Sequence, residues 1–228
     1  MDNDSGIKWF NCSFYPTHKV CRAHRLEDGV IPRLRQEDVT LFSPWGPRYA
    51  FERRGRIICP GDKEVKTLHA LAGLWEEFKL HLPDRRWRWL VLGADLYGTR
   101  INNLPPDAVR DYFLSLEEWI NRLLPGAEFR LWSDYDEEAE AYRRVARDSW
   151  REWVSSSIVQ RTQLTARRMG RGGNPTDYLV ERLAEAMLIE AHYRPIKMSV
   201  VARSKDAEVD HDLPRLYFLS DDLHAPWL

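Results

Sequence analysis

Residues 86–95 read RWRWLVLGAD, and the reading of this stretch decides the fold. Trp89 to Ala94 is an unbroken apolar run of six residues, its glycine included. A half-exposed strand alternates polar and apolar residues. A run without alternation suits a strand covered on both faces, as in parallel sheets flanked by helices. At six residues the run is also too short to cross a bilayer. Upstream, Val65, Leu68, Leu71, Ala72 and Trp75 recur at threes and fours from Asp62, which predicts a helix to about Leu82. Downstream, Pro105-Pro106-Asp107 opens a second helix. Val109, Tyr112, Phe113, Leu116, Trp119, Ile120 and Leu123 sustain its period until Pro125-Gly126.

The pattern then repeats. EFRLWSD (128–134) reads as a strand and 136–169 as a long charged helix, broken by RGGNP (171–175). Thr176 or Asp177 caps a helix over 177–191 that turns Leu179, Leu183, Met187 and Leu188 inward. PIKMSVVAR (195–203) and RLYFLS (215–220) read as strands. Ahead of all this, Pro16, Pro32, Pro44, Pro47 and Pro60 cut residues 1–60 into short pieces such as VTLF (39–42) and RIIC (56–59). The expectation is a Rossmann-like α/β catalytic domain over 61–228, its mostly parallel sheet flanked by helices. Residues 1–60 are expected to form an irregular N-terminal lid with short strands.

Composition narrows the class of function. The 228 residues are 43% hydrophobic and 30% charged, enough for a packed core and unlike a disordered chain. Net charge is −1, which favours no partner by itself. The acidic start, MDNDSGIKW, has neither the basic end nor the apolar core of a signal peptide. Three cysteines, Cys12, Cys21 and Cys59, make no disulfide framework and fit a reducing, cytoplasmic setting. Ten tryptophans and nine tyrosines suit stacking and pocket walls as well as core.

Open α/β sheets collect ligands at the carboxyl ends of their strands. That rule selects Gly93–Gly98 and Trp132–Asp136. Asp95 is a candidate amine anchor or base and Tyr97 a candidate to orient a carbonyl; the same two could instead bond the turn and cover the sheet edge. Arg100 stands nearby, a candidate to bind the substrate or its phosphate. Asp134 and Asp136 are placed to cap a helix, or to act as catalytic carboxylates. Lys66 sits near a helix N-terminus, where a cation is electrostatically misplaced. That would make it a nucleophilic amine unless it pairs with Asp62. Gly93 and Gly98 complete neither a dinucleotide fingerprint nor a P-loop, and no hydrolase elbow or zinc-protease motif is present. Cys12, His18, Cys21 and His24 match no closed zinc spacing, so neither metal nor cofactor is predicted. Between Arg143 and Gly172, eight arginines (143, 144, 147, 151, 161, 167, 168 and 171) face two acids, Asp148 and Glu152. Arg143, Arg147, Arg151, Arg167, Arg168 and Arg171 are therefore candidates to hold a phosphate or RNA, against the alternative of a solvated helix face.

The stretch LVLGADLYGTRINNLPPDAVRDYFLSLEEWI resembles the isonitrile (isocyanide) synthase family, which includes enzymes of pyoverdine-chromophore and dityrosine biosynthesis. Asp95, Tyr97, Asp107, Val109 and Tyr112 fill the family's places. PGDKEVKTLHALAGL, with Asp62 and Glu64, resembles its preceding acidic helix. ERLAEAMLIEAHYRPIKMSVVARS resembles its helix followed by a basic-then-serine strand, here Lys197, Met198 and Ser199. Pro226-Trp227 is similar to a late proline-tryptophan. The chain departs where the family has glycine after the aspartate (Leu96 here) and in LFSPWGPRYAF, and it is shorter. The resemblance implies condensation of an amino acid's amine with a keto-sugar phosphate held by basic residues such as Lys197, for a secondary metabolite and without metal.

A second resemblance leads elsewhere. Strand, helix, strand, arginine-rich helix and a helix bearing Tyr178 is also the order of the cyclodipeptide synthases, which use aminoacyl-tRNA. Tyr178 and Glu181 would stand for that family's tyrosine and glutamate, although Glu181 is three residues on, Arg182 holds the fourth place, and Gly93-Ala94-Asp95 lacks the serine. A non-enzymatic binding domain is the third reading.

Overall fold

The computed structural model describes residues 7–10, 20–47, 49–50, 56–57, 60–153, 175–201 and 213–219. Its main sheet has six strands: β1 (Val20–His24), β2 (Asp38–Trp45), β5 (Arg86–Gly93), β6 (Glu128–Leu131), β7 (Ile196–Val201) and β8 (Arg215–Leu219). A separate two-stranded sheet pairs β3 (Tyr49–Ala50) with β4 (Arg56–Ile57). The main order is β1-β8-β7-β2-β5-β6, parallel throughout except for β1 at the edge. The five parallel strands thus run third, second, first, fourth, fifth in chain order. This is the doubly wound arrangement, with its switch point between β2 and β7.

Four long helices cover the sheet: α1 (Asp62–His81), α2 (Pro106–Leu123), α3 (Asp136–Trp153) and α4 (Pro175–Tyr193). The alternation within strands assigns each helix its face. Val39, Leu41 and Trp45 of β2, with Trp89 and Val91 of β5, join Leu68, Leu71, Phe78, Tyr112, Phe113 and Leu116 in one core of α1 and α2. Phe42, Leu90 and Leu92 point the other way, into a second core with Trp132, Ala139, Leu188 and Ile189 of the α3/α4 side. β5 is buried on both faces, as its unbroken apolar run requires. Gly93 ends it where a side chain cannot fit: an added Cβ would stand 2.9 Å from both Phe113 and Leu131. α1 opens with the Glu64 carboxylate accepting from the Gly61 N–H at 2.9 Å, and α2 is followed by Gly126 at φ 87°, a turn that suits glycine.

The first sixty residues are the main correction to the expected layout. VTLF is part of an eight-residue strand at the middle of the sheet, pairing in parallel with both β5 and β7, and Val20–His24 extends the same sheet beyond β8. A boundary at residue 60 therefore cuts through the sheet. Pro44 hid this, because proline donates no ladder hydrogen bond. Trp45 directs its carbonyl to Ala94 on the β5 side, at 2.7 Å, so the preceding nitrogen, that of Pro44, faces β7. The ladder between β2 and β7 pairs Leu41 with Ile196 and Phe42 with Lys197, before Pro44 is reached. No helix among the described residues is long and apolar enough to cross a membrane.

Candidate functional site

At the carboxyl end of β5 the chain passes through Ala94-Asp95-Leu96 into a helical turn, Tyr97–Ile101. Asp95 Oδ1 accepts the backbone N–H of Ser133 at 3.0 Å, and its carbonyl accepts the Thr99 hydroxyl at 3.1 Å. Asp95 thereby ties the end of β5 to the end of β6. Burial raises its pKa above the ordinary aspartate value, with the Ser133 bond working against the shift.

Tyr97 turns into the α3/α4 side. It is 4% exposed, and its hydroxyl has no hydrogen-bond partner among the described residues. Tyr178, in the first turns of α4, meets its ring edge-on at 5.8 Å, and the Arg182 guanidinium lies 6.0 Å from the ring centre. Arg182 donates to Glu185 Oε1 at 2.7 Å, while Glu185 Oε2 is buried without a partner among the described residues. Tyr178, Arg182 and Glu185 follow at four and three, so one face of α4 presents all three. Burial first, and the Glu185 charge second, push the Tyr97 phenol well above its ordinary pKa, against the pull of Arg182. The phenol stays protonated as a donor, and the open Glu185 oxygen is an acceptor beside it.

The other expected residues are mostly engaged within the fold. Glu181 is bound by Arg143, whose Nη2 reaches it at 2.7 Å, and by the Trp132 indole. Arg143 also reaches Asp136 Oδ1 at 2.8 Å and the Asp136 carbonyl at 3.0 Å. Its burial opposes the charge, but Glu181 and Asp136 outweigh it and hold the pKa above the ordinary arginine value. Arg100 makes a two-pronged pair with Asp136, at 2.8 and 2.6 Å. Asp134 accepts the Leu131 N–H at 2.9 Å, a capping role. Arg147 pairs with Glu140 at 3.0 Å, and Arg151 lies over the Trp150 ring at 5.5 Å. The expected phosphate role of Arg143 and Arg100 meets side chains already bound to carboxylates. Lys66 is exposed on α1, in the layer across the sheet from Tyr97, and is not brought to the Tyr97 group. Arg161, Arg167, Arg168 and Arg171 lie outside the described residues, as do Cys12 and His18.

Two residues that the isonitrile synthase resemblance named, Glu64 and Tyr112, meet on the α1/α2 side. The Tyr112 hydroxyl donates to Glu64 at 3.4 Å and accepts from the Trp45 indole at 3.2 Å. Ser43, in the departing LFSPWGPRYAF segment, accepts from the Trp89 indole at 3.1 Å, inside the core. The tryptophans expected as pocket walls include Trp45, Trp89 and Trp132, all fully buried in the two cores; tyrosines flank the site.

Sequence reasoning missed Glu185 and gave Arg182 no role. A signal was present: Arg182 and Glu185 fall at helical spacing from Tyr178, four and seven residues on, so they share its face. Lys197, expected as a phosphate holder, is 1% exposed on β7, its ammonium 6.0 Å from the Phe42 ring centre.

No family profile and no curated protein matches the chain. Among solved structures, the PvcA protein from Pseudomonas aeruginosa matches with a TM-score of 0.61 at 15% identity, over 89% of this chain and 78% of that one. A tyrosyl-tRNA synthetase from Archaeoglobus fulgidus, solved with L-tyrosine, matches with a TM-score of 0.58 at 12% identity, over 96% of this chain; the chain spans 65% of the synthetase's length. A CDPS from Fluoribacter dumoffii gives a TM-score of 0.44 at 11% identity, over 79% of this chain and 89% of that one. At such identities the shared property is the fold. PvcA stands in the isonitrile synthase family, the first of the two families that the sequence resembles.

Proposed function

We propose that the chain is an enzyme acting on the amino group of an amino acid, joining it to a keto-sugar phosphate in the manner of an isonitrile synthase. The observation that carries this is two buried polar atoms without partners among the described residues, the Tyr97 hydroxyl and Glu185 Oε2, beside the carboxyl ends of the strands. Buried polar atoms are nearly always satisfied in folded proteins, so open ones beside the strands' carboxyl ends are places where a ligand's groups can bind. In attack of an amine on a ketone, a C–N bond forms, the carbonyl oxygen gains a proton and the nitrogen loses one, before water leaves. Tyr97 supplies the donor at the oxygen and Glu185 the acceptor at the nitrogen. Tyr97 and Tyr178 give an aromatic wall, so aromatic amino acids are the first substrates to try. The L-tyrosine bound by the tyrosyl-tRNA synthetase of similar fold supports that choice.

The test feeds nitrogen-labelled amino acids to cells expressing the chain and follows new metabolites by mass spectrometry. The purified chain is then supplied with the amino acid and keto-sugar phosphates. Tyr97→Phe removes only a hydroxyl without a described partner, so melting should be unchanged or slightly higher. Turnover should fall by about 100-fold or more, the usual scale for losing a proton donor. Turnover unaffected by Tyr97→Phe removes this reading. A product that needs charged tRNA in place of the sugar phosphate transfers the chain to the cyclodipeptide synthase reading.

A further inference from the structure

Tyr97 stands between two anchored neighbours. Two residues before it, Asp95 accepts the Ser133 N–H at 3.0 Å. Three residues after it, in the same helical turn, Arg100 grips both oxygens of Asp136, at 2.8 and 2.6 Å. Both anchors lead on to α4. Trp132, next to Ser133, donates its indole N–H to Glu181. Asp136 is joined to Glu181 by Arg143, whose Nη2 lies 2.8 Å from Asp136 Oδ1 and 2.7 Å from Glu181 Oε1. Glu181 comes three residues after Tyr178 and four before Glu185, so it neighbours both on the helix surface. The two routes therefore start on either side of Tyr97 and end on the stretch of α4 that carries Tyr178 and Glu185.

Cohesion alone does not call for this arrangement. Around it, α3 and α4 already pack through Ala146, Leu179, Val180 and Leu183. Charges taken out of water lose hydration that their attraction roughly repays, and apolar side chains of like size would hold the helices together as well. Arg143 is nonetheless 5% exposed. A guanidinium adds direction: its planar fork fixes where both carboxylates stand, whereas apolar side chains can slide. Arg100 first, with Arg143, holds the Asp136 carboxyl below its ordinary pKa against the effect of burial, so the link stays charged. The site needs such fixing from outside. Neither the Tyr97 hydroxyl nor Glu185 Oε2 has a hydrogen bond among the described residues, so the elements that carry them set their separation.

We infer that Arg143 and Asp136 are positioning residues: they hold α4 in register with the Tyr97 turn and so set the distance between the Tyr97 hydroxyl and Glu185 Oε2. The inference rests on the reading of that pair given under Proposed function. It gives the α3 network a task at the site in place of the phosphate expected of Arg143.

Two measurements on the full chain test it, and one needs no substrate. Edge-on rings 5.8 Å apart give a nuclear Overhauser contact in the tyrosine-labelled chain, assigned by its loss in Tyr97→Phe and in Tyr178→Phe. Asp136→Asn keeps the shape, removes the charge and should weaken that contact. With substrates it should lower kcat about tenfold or more while KM stays within about twofold, because misplaced groups are felt at the transition state. Arg100→Gln acts through the same carboxylate, so it should have the same effects to a lesser degree and add nothing to Asp136→Asn. Ile120→Val, in the core across the sheet, should lower the melting temperature and leave both readouts unchanged. Should Asp136→Asn fail to fold, Arg100→Gln decides, since its side chain is 56% exposed. A ring contact and a kcat both unchanged in the deciding variant overturn the inference. A rise in KM at constant kcat also overturns it, by making these side chains substrate binders. The two readings fail separately. A ring contact weakened by Asp136→Asn in a chain that makes no product keeps the positioning and loses the function. Product formed by Asp136→Asn at unchanged kcat, with the contact intact, keeps the function and loses the positioning.

Discussion

Asp95 ties the ends of β5 and β6 together beside the candidate site, and the sign of its pKa shift makes its cost to stability measurable. Burial raises its folded-state pKa above the unfolded value near 3.8. Between those two values the folded chain holds the proton more often than the unfolded chain does. Stability therefore falls as pH rises through that window and stays reduced above it. Asn keeps an oxygen for the Ser133 N–H and carries no charge. Asp95→Asn should melt higher at pH 7, by about 2–4 °C for each kcal/mol recovered, and its stability should vary less with pH above 3.8. Turnover should drop in the same variant, because active-site charges are often kept at the expense of stability. Thermal melts across pH 4 to 7 check the first claim, and a lower melting point at pH 7 refutes it. Asp95 and Tyr97 were legible because they follow the least ambiguous strand in the chain. Arg182 and Glu185 were not, because their chemistry depends on which face of α4 meets the sheet, and periodicity does not tell a buried polar stripe from a solvated one.

At the scale of elements, α3 shows why counting charges misled. Its arginines looked like an anion-binding face, yet the acids that balance them lie one or two turns earlier on the same helix, at Asp136 and Glu140, and across the layer on α4, at Glu181. Partners on the same helix can be found from spacing; Glu181, 38 residues away, cannot. Among the described residues of α3, Arg144 and Arg151 are exposed and have no carboxylate partner given by an ion pair, so few guanidiniums are available to a polyanion. Each neutralised phosphate contributes roughly 0.7–0.9 to the slope of log affinity against log salt. Reversing Arg144 and Arg151 together (R144E/R151E) should therefore reduce the slope for bulk tRNA, titrated at low and high salt, by no more than about 2. A larger drop would return α3, and with it the aminoacyl-tRNA reading, to the front. The long strands and helices themselves were legible. β5, β6, β7, β8, α1, α2 and α4 lie where apolar runs and three-four spacing put them, and so does α3 over 136–153, the rest of the helix expected to 169 lying outside the described residues; in each the local pattern and the tertiary environment agree.

For the whole molecule the decisive fact is where β2 sits. Helices and strands 61–228 look like a complete layered domain in sequence, but the strand that joins the two halves of the sheet comes from outside that range. Without β2, β5-β6 and β7-β8 have no common neighbour, and each presents an open edge of unpaired backbone groups. β2 also buries Val39, Leu41, Phe42 and Trp45 almost completely. At about 1.5–3 kcal/mol for each large side chain, their loss is comparable with the whole stability of an ordinary domain, about 5–15 kcal/mol. A chain beginning at residue 61 should therefore fail to fold: no cooperative melting, no dispersed amide spectrum, and association through the open edges. A chain beginning at residue 20 keeps every strand of the main sheet and should melt cooperatively. Were residues 1–60 a detachable lid, the order would reverse, with 61–228 melting cooperatively on its own and losing only its ligand.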